Sequence, residues 1–123
     1  AEAEALARAG RGGILDATFQ RRTDRDRLRA AAARGGAPLL WIECRAAPAT
    51  VRSRLLTRAA CGTDPSDATW TVAQAQARGF EPLAEIAPEA HLCLATDDGT
   101  DSAATACAWL VHRAGQAVAG APP

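Results

Sequence analysis

The chain has 123 residues, a length that fits one small domain or part of a larger one. Fourteen acidic residues balance fourteen basic residues, which argues against a nucleic-acid or anionic-membrane binder because both need a basic excess. No apolar run approaches the roughly 18 residues that span a bilayer. The acidic start, Ala1-Glu2-Ala3-Glu4, is unlike a signal peptide, so we expect a cytoplasmic protein.

The apolar content predicts a thin core. Hydrophobic residues make up 48% of the chain, but 32 of them are alanine, and Leu, Ile, Val and Phe together number only 20. All fourteen basic residues are arginine. A phosphate-binding loop of the form G-x-x-x-x-G-K-[ST] needs a lysine to reach the β- and γ-phosphates, so these 123 residues do not contain one.

The first half of the chain predicts a helix, a strand and a second helix. Ala1–Ala9 is expected to be helical, and since the chain has no methionine we expect a truncated gene product. The apolar run Ile14–Phe19 predicts a strand that places Asp16 at the rim of a sheet. Thr23–Asp26 has the cap and first-turn acids of a helix that is expected to end at Gly35-Gly36.

The second half continues the alternation of strands and helices, which predicts parallel βαβ units. Its predicted elements are a strand at Pro38–Cys44, a helix from Pro48, a helix over Trp70–Ala77 capped by Ser66 or Asp67, a third strand at His91–Ala95, a final helix through Ala114, and a frayed tail over 115–123. We expect no metal site, because Cys44, Cys61, Cys93 and Cys107 match no zinc spacing and are interpreted as reduced core thiols.

Several ordered segments carry a family resemblance: Ile14–Phe19 with Arg22 and Arg25, Pro38–Cys44 followed by Arg45–Pro48, and Asp64–Trp70 leading to Phe80–Leu83 and His91–Leu94. Together they resemble the P-loop kinase-like ATPases of the AAA domain class, relatives of zeta toxins and of polynucleotide kinase. The order is also similar to an ATP-binding module often fused to an aminoglycoside-phosphotransferase-like domain. The resemblance spans roughly residues 5–112.

The resemblance implies an α/β fold, a three-layer P-loop kinase-like parallel sheet flanked by helices. Residues 1–123 would form a single partial domain with about three strands, lacking the central strand and phosphate loop of an N-terminal segment. The intact parent would transfer phosphate from ATP, with Mg²⁺, to a hydroxyl on a small molecule, and this chain alone would be inactive and bind no cofactor. The alternatives are a non-catalytic α/β remnant or interaction module, and a complete small α/β binding protein.

Three residues are candidates for catalysis. In the resembling family the position of Asp16 works near the phosphate loop and magnesium, while the alternative is an Asp that caps the next turn with Thr18. Arg54 and Arg58 share a helix face and would be lid arginines that meet the transferring phosphate. The alternative for both arginines is a solvated basic face.

Three further residues are candidates for cofactor binding. Arg22 and Arg25, with Thr18 before them, surround a helix start whose backbone N–H groups favour anions. The alternative is a surface lattice of salt bridges with the interleaved Asp24 and Asp26. A phosphatase-like nucleophile motif at 96–100 is rejected, because Thr96 stands where the nucleophilic aspartate belongs.

Overall fold

The computed structural model describes residues 5, 12–61, 69–97, 99 and 101–119, with side chains as far as Arg113. In these ranges the elements are α1 (Arg22–Arg34), β1 (Trp41–Arg45), α2 (Pro48–Cys61), α3 (Trp70–Arg78), a 3₁₀ turn (Pro88–Ala90), β2 (His91–Ala95) and α4 (Ser102–Ala119). The helix predicted at Ala1–Ala9 lies outside the described residues apart from Ala5, which is helical. Part of the predicted tail, 115–119, belongs to α4, and 120–123 lie outside the described residues.

The sheet of the described residues has two parallel strands. Its register runs from Trp41 opposite His91 to Arg45 opposite Ala95. This confirms the predicted parallel pairing, because α2 and α3 lie between the two strands in the chain.

The strand predicted at Ile14–Phe19 is wrong for this structure. The segment has no regular secondary structure and pairs with no strand, and Ile14 is 93% exposed. A strand needs a neighbour to bond its backbone N–H and C=O groups, and in the described residues β1 pairs only with β2. Phe19 has a φ of 40°, a left-handed conformation that few bulky residues adopt.

The helix boundaries follow local signals. Gly35 caps the carboxyl end of α1, and its N–H donates to carbonyls of the last turn. The amino end of α3 is capped by Thr69, whose side chain accepts a hydrogen bond from the Val72 N–H. The predicted cap at Ser66 or Asp67 is therefore wrong, and these two residues lie outside the described ranges.

The core is thin, in line with the composition. Among described residues, the buried apolar side chains are Trp41, Ile86 and Leu94. The Phe19 ring meets the Trp41 ring edge to face, with centroids 5.5 Å apart. All four cysteines are free thiols, but all four are exposed, so the prediction that they lie in a core is wrong.

Candidate functional site at the carboxyl edge of the sheet

The carboxyl ends of β1 and β2 are tied together by the residue that follows β2. The Thr96 backbone N–H donates to the Arg45 carbonyl over 2.8 Å, and the Thr96 hydroxyl donates to the same carbonyl over 3.1 Å. Open α/β sheets bind ligands at this edge. Thr96 therefore begins the loop on the side of the sheet where a site is expected.

Asp97 joins this edge to the start of α2. Its Oδ1 atom accepts hydrogen bonds from the Ala47 N–H over 2.9 Å and from the Thr50 hydroxyl over 2.7 Å. These two bonds, with the nearby Arg54 charge, hold the pKa of the Asp97 carboxyl below its usual value. Asp97 therefore ties the residue before α2 and the first turn of α2 to the exit of β2.

Arg54 is the predicted site residue that the structure brings to this edge. Its Nη2 atom donates a hydrogen bond to the Thr96 carbonyl. Because Thr50 and Arg54 are four residues apart, both lie on the face of α2 that meets the β2 exit. Arg58 lies one turn further along α2 and is exposed.

Arg25 was predicted to bind a cofactor, but in the structure it holds parts of the fold together. Its side chain is fully buried, and its Nε atom lies 2.5 Å from Glu85 Oε1. The guanidinium also donates to the carbonyls of Phe19, Gln20 and Pro82 and to Glu85 Oε2. All five N–H donors of a guanidinium are thus engaged, so Arg25 joins α1 to the loop before β2 and is not presented to a cofactor.

Arg22 takes part in the salt-bridge lattice that was the alternative to cofactor binding. Its Nε atom lies 3.5 Å from an Asp26 carboxylate oxygen, while its backbone N–H donates to Glu81 over 2.6 Å. Arg27 and Arg29 form similar exposed pairs with acids of α1. These pairs neutralise the basic start of the helix.

Asp16 and Thr18 are exposed on the irregular segment before α1. That segment meets the sheet through Phe19 and Trp41, at the first residue of β1. Arg54, by contrast, contacts the residue after the last position of β2. The structure therefore does not bring Asp16 and Arg54 together.

A second polar cluster lies on one face of the sheet. Glu43 accepts a hydrogen bond from Arg45 Nε over 2.8 Å, and its other oxygen lies 3.1 Å from His91 Nε2. The Glu43 side chain is only 10% exposed, so its two partners balance the charge of a largely buried carboxylate. The bond to Glu43 raises the pKa of the Arg45 guanidinium.

Across the described ranges, no group of three acidic, histidine or cysteine side chains could hold a metal ion.

Sequence reasoning missed the residues that organise the carboxyl edge. Thr96 and Asp97 were considered only as part of a phosphatase motif, and Thr50 was not considered. The usable signal was an aspartate two residues after a predicted strand, since carboxyl ends of parallel strands share one edge.

None of the described helices is both long and apolar enough to cross a membrane.

The comparison with protein families matches residues 1–83 of the 123 to the AAA domain family. The match contains Asp16, Arg54 and Arg58 and ends before β2, whereas the sequence resemblance was expected to reach residue 112. No curated protein and no solved structure matches the chain significantly. The family points to a nucleotide-binding, kinase-like function. The chain belongs to the AAA domain family of P-loop NTPases.

Proposed function

We propose that this chain contributes the rim and lid of an ATP-dependent phosphotransferase that acts on a hydroxyl group of a small molecule. The main support is the position of Arg54, which α2 and the Thr96 carbonyl hold at the carboxyl edge of a parallel sheet. Arginine suits a lid because it is always charged and its planar fork matches phosphate oxygens. Arg58, exposed on the same helix, would join it. Asp16, on the segment before α1, would join the site only where the polypeptide that carries the phosphate loop brings that segment to Arg54.

The phosphate cradle is proposed to come from polypeptide outside these 123 residues. A cradle for Mg-ATP needs a glycine-rich loop with a lysine, and the chain contains no lysine. The donor set of this chain therefore does not fit the cofactor. We expect the chain alone to be inactive and to bind no ATP.

The second candidate is a non-catalytic α/β module that keeps the fold of the family without its chemistry. The same absence of lysine favours it, because such a module needs no cradle. The upstream coding sequence separates the two candidates. An in-frame G-x-x-x-x-G-K-[ST] supports the phosphotransferase, and a stop codon followed by a start site supports the module.

Two measurements test the proposal. Calorimetry of this chain with Mg-ATP should show no binding, and a micromolar Kd would contradict the assignment of the cradle to another segment. In a polypeptide that includes the phosphate loop, Arg54→Ala and Arg58→Ala should each lower kcat more than they raise the KM for ATP, by about 10²-fold for a group that meets transition-state charge. Arg52→Ala, exposed on the same helix, is the matched control. An unchanged kcat in both variants would support the alternative that Arg54 and Arg58 belong to a solvated basic face of α2.

A further inference from the structure

The first two turns of α2 are fastened to the exit of β2 at two adjacent residues. Thr50 donates to the Asp97 carboxylate, and Arg54 donates to the Thr96 carbonyl. Thr96 is itself bonded to the last carbonyl of β1 through its N–H and its hydroxyl. The place of α2 relative to both strands is therefore set at this one turn.

We propose that Asp97 is a positioning residue that fixes α2 against the end of β2 and so sets the place of the Arg54 guanidinium. The consequence for catalysis rests on the proposed function of Arg54. The positioning itself is a property of this chain and can be measured without any activity.

Asp97 contributes more to this arrangement than an ordinary turn residue. One carboxylate oxygen accepts from both the Ala47 N–H and the Thr50 hydroxyl. A carboxylate at a helix amino terminus forms charge-assisted bonds and also interacts favourably with the helix dipole. Because a helix is a stiff element, holding its first turn also fixes the direction of the next turn, where Arg54 lies.

Without the Asp97 carboxylate, the first turn of α2 loses both bonds to the β2 exit. Arg54 would then be held by its contact with the Thr96 carbonyl, while α2 could rotate or shift. The Arg54 side chain is already exposed, but its guanidinium should be held less firmly to the Thr96 carbonyl and should therefore react faster with reagents. Arg52 lies on the exposed surface of the same helix and should not change.

The chain offers a matched control at another helix. Asp101 Oδ1 accepts a hydrogen bond from the Ala104 N–H over 3.0 Å, at the start of α4. Asp101→Ala therefore also removes an aspartate that accepts a backbone N–H at the amino end of a helix. It does so without touching α2.

The experiment measures the rate at which phenylglyoxal, an arginine-selective reagent, modifies each arginine of the chain, read by peptide mass spectrometry. In the wild-type chain Arg54 should react more slowly than Arg52. In Asp97→Ala the Arg54 rate should rise about fivefold, the factor that corresponds to the net contribution of one hydrogen bond. The Asp101→Ala control should leave the Arg54 rate unchanged.

Two further variants keep the test decisive if Asp97→Ala does not fold. Asp97→Asn retains a side-chain oxygen that can accept both bonds and should restore most of the protection of Arg54. Thr50→Val removes a single bond and should give a smaller rise than Asp97→Ala. If Asp97→Ala and Thr50→Val both leave Arg54 reacting as in Asp101→Ala, the positioning role is wrong.

An activity measurement then separates this inference from the proposed function. In a polypeptide that includes the phosphate loop, Asp97→Ala should lower kcat with little change in the KM for ATP. The double variant Asp97→Ala, Arg54→Ala should have the same kcat as Arg54→Ala alone. If Arg54→Ala keeps normal kcat while Asp97→Ala still exposes Arg54, the proposed function fails and the positioning role stands. If the two losses multiply in the double variant, Asp97 does not act through Arg54.

Discussion

Arg25 and Glu85 form a buried ion pair between α1 and the loop that precedes β2, with 2.5 Å between Arg25 Nε and Glu85 Oε1. The pair joins residues 60 positions apart in the chain. The same guanidinium holds the Phe19 carbonyl, in the turn where the backbone is left-handed. One side chain thus connects the segment before α1, α1 itself and the loop before β2.

Replacing Arg25 by alanine should unfold the chain or nearly so. Removal of one partner from a buried ion pair typically costs about 3–5 kcal/mol, a large part of the total stability of a small domain. Far-UV circular dichroism during a urea titration measures the loss. Arg29→Ala is the matched control, because Arg29 lies on the same helix in an exposed pair with Asp26, and it should cost less than about 1 kcal/mol. Equal effects of the two variants would contradict the structural role of Arg25.

Stability should fall on acidification, in part through Glu85. The hydrogen bond from Arg25 holds the pKa of the Glu85 carboxyl below its usual value. A carboxyl whose pKa is lowered by folding adds stability above its unfolded pKa, about 4.3 for Glu, and that stability is lost as the pH falls through the lower folded value. The urea midpoint should therefore drop below about pH 4.3. Glu85→Gln should start from a lower midpoint and show a shallower pH dependence, and parallel curves for the two proteins would be the contrary result.

Asp16→Asn should reduce turnover strongly in a polypeptide that includes the phosphate loop, while the thermal midpoint hardly changes. Asp16 is exposed, so its replacement removes little native structure. Asp24→Asn is a suitable control, since Asp24 is an exposed acid whose carboxylate pairs with Arg27 on α1. A large fall in the midpoint with normal turnover would support the alternative that Asp16 caps a turn.

The isolated chain should bind an apolar dye such as ANS at neutral pH and unfold over a broad temperature range. Its described core has only three buried apolar side chains, and several large apolar side chains are open to solvent: Ile14, Leu56 and Val111. Loose packing with retained helix is typical of molten globules. Dye fluorescence, far-UV circular dichroism and amide NMR spectra measure these properties. A sharp thermal transition with well-dispersed amide signals and no dye binding would show that the chain closes its own core.

Elements with local signals could be predicted from the sequence. Pro48 at the first turn of α2 and Gly35 after α1 mark helix ends through their own backbone preferences. The strand β2 could be predicted because His91–Ala95 is an apolar run bounded by turns. In each case the information lies within a few residues.

Features that depend on distant partners could not be predicted in this way. Ile14–Phe19 has the composition of a strand, but whether it pairs depends on a neighbour that its own residues do not specify. Arg25 lies among exposed acids and arginines, so its burial becomes visible only when Glu85 is known to reach it. Asp97 accepts a hydrogen bond from Ala47, 50 residues earlier in the chain and just before α2, which no local pattern reveals.

The parallel pairing of β1 with β2 has a consequence for the order of folding. Trp41 pairs with His91, so forming the sheet requires closure of a loop that contains both α2 and α3. Closing such a loop costs entropy before any strand contact repays it, whereas a helix such as α2 forms from neighbouring residues. Helices should therefore appear early and the sheet late, and the Arg25–Glu85 bond, which spans a similar distance, should be among the last contacts made.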